Sequence, residues 1–232
     1  MNGLRWTRWT GWTCALRPSI LSILSIAPIA TAAQKPAHTA SPEALAQKTD
    51  AQRLHAAALL AFQKHDFARA KLGFQQVLNL APNNTPALLN LALIEQREKH
   101  YPDAERRLKQ VLHNEPENAT AWLLLGIAAY EQQHLDAAQA HLSQAILYAP
   151  KNAQAHQFLG VLFGRKGWYA AAEDELRRAI ELQPDFSDAH YNLALVYLER
   201  TPPSIELARR HYERAIELGT PPDPAIAKKL AE

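Results

Sequence analysis

The sequence contains little cysteine, little glycine and no long apolar run, and each of these absences excludes a class of protein. Its 232 residues include 1 Cys, so neither a disulfide framework nor a cysteine-rich zinc site can form. With 8 Gly and 15 Pro, collagen-like and low-complexity chains are excluded as well. No apolar stretch reaches the ~18–20 residues that a membrane-spanning helix requires. The 47% hydrophobic and 21% charged residues indicate a globular domain rather than a disordered chain.

Sequence motifs of catalytic sites are missing too. The chain has no G-x-S-x-G, no glycine-rich phosphate loop, no C-x-x-C and no H-E-x-x-H. Its carboxylates lie mostly beside Arg or Lys, as in Glu105-Arg106-Arg107, a pattern typical of a solvated helix face. We therefore expect no enzymatic activity, no cofactor and no metal site.

The N-terminus differs in composition from the rest of the chain, because its first acidic residue is Glu43. Three arginines precede an apolar stretch at 20–30, which ends in small residues. This pattern predicts a secretory signal peptide over 1–33, cleaved near Ala32 or Ala33, and export to the periplasm or the extracellular space. An organellar transit peptide and an uncleaved membrane anchor are the alternatives.

Removal of the predicted leader changes the charge of the chain. Residues 1–33 contain three Arg and no acid, so the formal charge falls from +2 to −1. That charge provides no basic surface for nucleic acid, and no membrane-spanning segment is expected after cleavage. Residues 34–50 mix Pro, Ala, Ser and Thr and are predicted to be a flexible linker, with a helix start after Pro42.

An internal repeat of 34 residues organises the remaining chain. Its markers are four prolines at equal spacing: Pro82, Pro116, Pro150 and Pro184. Counting back from them gives five blocks: 51–84, 85–118, 119–152, 153–186 and 187–219. Periods of this length are typical of helical repeats that bury their apolar faces by stacking.

Each block predicts two helices, at block positions 2–14 and 17–30. Small residues at positions 8 and 20, such as Gly126 and Ala138, would let the two helices approach closely. The proline at position 32 ends the second helix, and an asparagine at position 34 is placed to cap the next one: Asn84, Asn118 and Asn152. The fifth block carries a two-residue insertion at 201–204, in the turn between its helices.

The third block, W122LLLG with Ala138, Leu142 and Pro150, resembles the tetratricopeptide repeat (TPR) family. The resemblance covers 51–219. It implies an all-α, right-handed superhelical solenoid of about five helix-turn-helix units. Residues 220–232 follow a proline-rich break and are predicted to form a capping helix with Ile226 and Leu230 on its apolar face.

The resemblance also implies where a partner would bind. In TPR proteins the first helix of each pair lines the concave face, through block positions 2, 5, 9, 12 and 13. Here position nine is apolar in every repeat. The candidate partner-binding residues are Leu59, Phe62, Leu89, Leu93, Leu123, Ile127, Tyr130, Val161, Tyr191, Leu195 and Leu198. An apolar strip of this kind would suit an apolar or amphipathic segment; alternatively, position nine packs between neighbouring first helices.

Two further patterns limit the choice of partner. The family's dicarboxylate clamp for acidic tails needs Lys and Asn where the first repeat has His55 and Leu59, so an acidic peptide tail is not expected. His156 and His190 occupy the same position in successive repeats, ~10 Å apart, too far to share a metal. The sequence thus predicts a scaffold that binds a protein or peptide, in a cell-envelope or secretion assembly. A self-associating solenoid, that is a homo-oligomer, is the alternative.

Overall fold

The computed structural model describes the backbone of residues 42–231 and the side chains of residues 48–231. All regular secondary structure in this range is helical, so the fold class is all-α, as predicted. The helices are α1 (Pro42–Gln63), α2 (Phe67–Leu80), α3 (Thr85–Arg97), α4 (Tyr101–Asn114), α5 (Ala119–Glu131), α6 (Leu135–Tyr148), α7 (Ala153–Arg165), α8 (Tyr169–Leu182), α9 (Ser187–Glu199), α10 (Ile205–Glu217) and α11 (Pro224–Ala231). The predicted signal peptide lies outside the described residues.

The helix bounds repeat with the 34-residue period. In repeats two to five the first helix spans block positions 1–13, and in repeats one to four the second spans 17–30. The insertion in the fifth repeat delays α10 by two residues, as the sequence predicted. The predicted helix start at Pro42 is confirmed, so residues 42–50 belong to α1 and not to a flexible linker, whereas residues 34–41 lie outside the described residues.

Side-chain caps fix where the first helices begin. Asn84 and Asn118 each accept a hydrogen bond from the backbone N–H three residues ahead, at 3.0 and 2.9 Å. Asn152 accepts from two backbone N–H groups at 3.1 Å. Each bond satisfies a donor that the first turn of a helix leaves open, which stabilises the helix by ~1 kcal/mol. The predicted asparagine caps are confirmed.

The turns between paired helices share one backbone conformation. Block position 15 has positive φ in four successive repeats: His65 at 61°, Lys99 at 62°, Gln133 at 67° and Gly167 at 77°. In each turn the N–H of position 15 donates to the carbonyl of position 12, and that of position 16 to position 11. This is a Schellman motif, which ends a helix by satisfying its last carbonyls. The sequence signals it by glycine in the fourth repeat alone.

Small residues hold the two helices of a repeat close together. A Cβ atom added to Gly126 would lie 2.7 Å from the Leu142 side chain, and one added to Gly160 would lie 2.7 Å from that of Leu176. Ala138 and Leu142 are completely buried on the facing helix. The core of each repeat therefore lies along these helix–helix contacts, at the block positions that the sequence predicted.

The described residues divide into two compact units, and the division falls between the third and fourth repeats. In the first unit (42–151), α3 contacts both α2 and α4, and α5 contacts both α4 and α6. In the second unit (152–231), α9 contacts both α8 and α10. Each unit thus forms its core by stacking helix pairs, as expected of a helical repeat.

The last helix covers the end of the second unit. Ile226 and Leu230 are buried, as predicted for a capping helix. The backbone N–H of Asp223 donates to the Tyr212 hydroxyl at 2.6 Å, and Arg209 donates to the Leu230 carbonyl at 2.5 Å. Among the described helices, none has both the length and the hydropathy needed to cross a membrane.

Candidate functional site

The apolar residues of position nine lie in the core between helices rather than on an open strip. In the first unit Leu93 and Ile127 are 3% and 1% exposed, and in the second Val161 and Leu195 are 2% and 8% exposed. Leu59, in the first repeat, is half-buried. Helix packing is therefore the observed role of this row, and direct contact with a partner stays a prediction.

The remaining candidate residues are buried as well. In the first unit these are Phe62, Leu89, Leu123 and Tyr130; in the second they are Tyr191 and Leu198. Tyr191 donates a hydrogen bond of 3.0 Å to Asp223, which joins α9 to the residue that precedes α11. Within each unit the structure brings the predicted residues together along the first helices, but it leaves little of their apolar surface accessible.

Polar side chains at positions 2 and 13 are the accessible part of the predicted groove. In the first unit, Gln63 and Arg97 are exposed at position 13 and Glu131 is half-buried. The Arg97 guanidinium lies 4.3 Å from the centre of the Phe67 ring, a cation–π contact that orients it. The first-helix surface is therefore a polar edge over a closed apolar layer.

Amide side chains beneath that edge have unused hydrogen-bonding capacity. In the first unit the Asn90 Nδ2 donates to the Pro86 carbonyl and the Gln96 Nε2 to the Leu124 carbonyl, both at 2.8 Å. Their oxygens have no partner among the described residues. In the second unit the same holds for the Gln157 oxygen and for both amide atoms of Asn192. Buried polar groups without partners are rare, because each costs ~1–3 kcal/mol.

These amides lie on the first helices of their repeats, at more than one block position. They occupy block positions 5, 6 and 12, and the positions 5 and 12 were already assigned to the groove. A polar residue in an otherwise apolar helix is the signal that could have found them. Gln96 bridges two first helices through its bond to Leu124, and its oxygen is buried without a partner.

A buried ion pair joins the two helices of the second repeat. The Glu95 carboxylate is 3% exposed and accepts two hydrogen bonds from the Arg107 Nε, at 2.7 and 2.9 Å. This carboxylate is enclosed by its partner and by helix packing. It has the geometry of a structural pair rather than of a proton-transfer site.

The histidines at position four pack against the second helix of their own repeat. His156 is buried with its Nδ1 2.6 Å from a Glu175 oxygen. His190 is buried with its Nδ1 3.0 Å from the Nδ1 of His211. Both side chains therefore have a packing role, and the pairing of His190 with His211 was not predicted. Within residues 48–231 no group of three or more His, Cys, Asp or Glu side chains could hold a metal ion.

The His190–His211 pair has a defined proton arrangement. The Nε2 of His190 lies 3.1 Å from the Pro184 carbonyl, which only accepts, so this nitrogen carries the proton. The Nδ1 atoms of His190 and His211 then share one hydrogen bond. Burial first, and then His190, Arg210 and Arg177, lower the pKa of His211 from 6.5 to about 4.

That lowered pKa makes the second unit sensitive to acid. Between pH 6.5 and pH 4 the unfolded chain holds a proton on His211 that the folded chain lacks. The contribution of neutral His211 to the free energy of unfolding is therefore complete above about pH 6.5, decreases as the pH falls, and is lost near pH 4.

Comparisons with known proteins agree with the geometry. Residues 32–210 match the family described as the tetratricopeptide repeat protein 21 C-terminal ARM domain. The crystal structure of MamA is 25% identical, with a TM-score of 0.58 over 69% of this chain and 93% of that one. No curated protein sequence matches the chain.

Two further solved structures show the same fold. PilF of Pseudomonas aeruginosa is 18% identical, with a TM-score of 0.71 over 80% of this chain and 85% of its own. YrrB, a TPR protein with an unusual peptide-binding site, is 21% identical, with a TM-score of 0.57 over 83% and 97%. At these identities the likeness concerns the arrangement of helices.

Proposed function

Because the chain belongs to the tetratricopeptide repeat family, whose members are protein-interaction scaffolds, we propose that it holds an extended segment of a partner protein along its first helices. The observation that carries this proposal is the set of buried amides with unpaired atoms on those helices. An extended segment presents backbone N–H and C=O groups at regular spacing, and amide side chains can pair with both.

The first unit offers the clearest site for such a segment. The Gln96 oxygen is a buried acceptor without a partner, so a segment that pairs with it must displace the side chains that cover it; the same Gln96 side chain is held in place by its bond to Leu124. Arg97 and Gln63 lie exposed at the edge and can contact the partner's side chains. Binding would satisfy an acceptor that is unpaired in the free chain, so pairing it contributes more than an exposed hydrogen bond does.

An apolar or amphipathic segment is the second candidate ligand. Leu59 and His55, both half-buried in the first repeat, are the predicted groove residues with accessible apolar surface. The rest of the apolar row is closed, so an amphipathic helix would contact this end of the first unit and little beyond it. The extended segment is favoured because its backbone groups can pair with the unpaired amide oxygens of Asn90 and Gln96 on α3.

The proposed scaffold acts without catalysis and outside the cytoplasm. The motif-free sequence and the ion-paired carboxylates support a non-catalytic role. The Arg-rich, acid-free N-terminus with its apolar stretch and alanine end supports export and a place in a cell-envelope or secretion assembly. N-terminal sequencing of the protein from its native host should give a start at Ala33 or Gln34. An intact Met1 in the membrane fraction would instead indicate an uncleaved anchor.

Photo-crosslinking in the native host tests the binding surface. A benzophenone amino acid replaces Arg97 on α3 in one variant and Arg106 on α4 in the other; both are exposed arginines of the second repeat. We expect a discrete crosslinked partner from position 97 and none from position 106. A partner captured from position 106 alone would place binding on the second helices and contradict the proposal.

A substitution of the amide itself tests the mechanism. Gln96→Met keeps the length of the side chain and removes its hydrogen-bonding atoms. We expect about a fivefold weaker crosslink to the partner, since each lost hydrogen bond contributes ~1 kcal/mol. Gln110→Met, on a second helix, is the matched control and should leave the crosslink unchanged. Equal yields from both variants would show that Gln96 does not contact the partner.

A further inference from the structure

In the first repeat, no described helix packs against the side of α1 that corresponds to a buried side of the first helix in the second and third repeats. Block positions 6, 7 and 10 are buried in the second and third repeats, where α3 and α5 pack against the preceding second helix. In the first repeat these positions are Ala56, Ala57 and Leu60, and all three are exposed, Leu60 by 52%. A face built to be covered by a helix is thus left open among the described residues.

The exposed face continues as a row along α1. Asp50, Arg53, Ala57 and Leu60 are spaced three and four residues apart, so they lie on one side of α1, and Lys64 follows four residues later, just beyond the end of the helix at Gln63. All five are exposed; Arg53 and Asp50 are 79% and 54% exposed in a surface ion pair of 3.1 Å. The row therefore carries the Asp50–Arg53 ion pair near its start, the small Ala57 at its centre and the basic Lys64 at its end.

Asp50 and Lys64, at the two ends of the row, carry opposite charges. When two copies of α1 cross in antiparallel fashion at Ala57, residue 50 of each copy lies opposite residue 64 of the other. Asp50 then meets Lys64 twice, whereas a parallel pair would place like charges together. Alanines at the crossing point allow the helix axes to approach to ~8 Å, the lower end of the usual range. Leu60 provides the apolar contact on either side.

From these observations we propose that the α1 row is an interface with a second copy of this chain, arranged as an antiparallel, two-fold symmetric pair. Such a contact uses one surface patch on both copies and closes after two. The small apolar area implies a dimer that dissociates at low concentration. The interface is separate from the first-helix edge proposed to hold a partner, so each proposal can fail without the other.

Sedimentation velocity over a concentration series measures the dimer, with the full chain carrying Cys14→Ser. Lys64→Glu places acid against acid twice, and we expect about tenfold weaker dimerisation. The double variant with Asp50→Lys and Lys64→Asp exchanges the two charges and should restore the original affinity. Leu60→Glu should weaken the dimer by more than tenfold, whereas Leu72→Glu, at an exposed leucine outside the row, is the control.

Disulfide trapping tests the geometry directly. In the Cys14→Ser background, Ala57→Cys places one thiol at the two-fold axis, where it meets its own copy within bonding reach. We expect rapid formation of a covalent dimer, and at least tenfold slower formation for Leu72→Cys. A chain that stays monomeric at all concentrations, or equal trapping rates for the two cysteines, would overturn the proposal. A dimer that persists unchanged in Leu60→Glu would also overturn the proposal. The same holds for a Leu60-dependent complex with a different protein in place of the dimer.

Discussion

The apolar row at position nine allows one decisive comparison between a core role and a binding role. Leu93 and Leu59 are the same residue type at the same block position, in neighbouring repeats of the first unit. Leu93 is 3% exposed, whereas Leu59 is half-buried. Replacing each with alanine removes the same three carbon atoms from different environments.

The expected costs follow from the burial of each side chain. A fully buried Leu→Ala change loses transfer free energy and leaves a cavity, so Leu93→Ala should reduce the free energy of unfolding by ~3 kcal/mol. At Leu59 about half of the side chain remains in water in the folded chain, and neighbours can move into the space. Leu59→Ala should therefore cost ~1 kcal/mol.

Urea denaturation followed by circular dichroism at 222 nm measures both values. The difference between the variants should be ~2 kcal/mol, which shifts the urea midpoint of Leu93→Ala well below that of Leu59→Ala. Equal losses, or a loss below ~1 kcal/mol for Leu93→Ala, would refute the conclusion that this row is packed core. The row would then be free to serve as the binding surface that the sequence predicted.

Three other predictions concern local features. Lys99→Gly should raise the free energy of unfolding by ~0.5 kcal/mol, because the left-handed backbone at this residue suits glycine. Gly167→Ala should lower it by ~1 kcal/mol for the same backbone reason, since no atom lies within 4 Å of the added Cβ. Thermal melts measure both changes, and the opposite order of stabilities would contradict this prediction. Arg107→Ala leaves the Glu95 carboxylate buried and unpaired and should cost ~3 kcal/mol, with the control Arg106→Ala near zero by urea titration. His211→Asn should remove ~1–2 kcal/mol of the loss in unfolding free energy between pH 6.5 and pH 4, an energy that allows for solvent screening at this half-buried site. Unchanged acid sensitivity would show that His211 is not the titrating group.

The helical framework could be predicted from the sequence because its determinants are local and repeated. The proline at position 32 and the asparagine at position 34 act on adjacent backbone groups, so their effects do not depend on distant contacts. Gly126 and Ala138 likewise signal close helix approach within a single repeat. Because these local signals recur every 34 residues, each repeat supports the prediction made from the others.

The candidate site could be predicted only in part, because burial depends on packing between repeats. The apolar residues of position nine are the same whether neighbouring first helices stand apart or touch; in the structure α3 contacts α5 within the first unit, and α7 contacts α9 within the second. Pairing of His190 with His211 also depends on which residue of α10 faces position four after a two-residue insertion. The open face of α1 becomes evident only when burial is compared between equivalent positions.

The central claim is that a partner segment runs along the first helices, and a crosslinking scan at equivalent positions tests it most directly. A benzophenone amino acid is placed at position 13 of three repeats, replacing Gln63, Arg97 or Glu131. The matched controls are at the exposed position 22 of the same repeats, replacing Leu72, Arg106 or Ala140. Mass spectrometry then identifies the crosslinked residues of the partner. We predict that the three first-helix probes capture one protein at successive points of a single continuous segment, and that the controls capture none. Capture by the controls, or by first-helix probes at unrelated proteins, would contradict the claim.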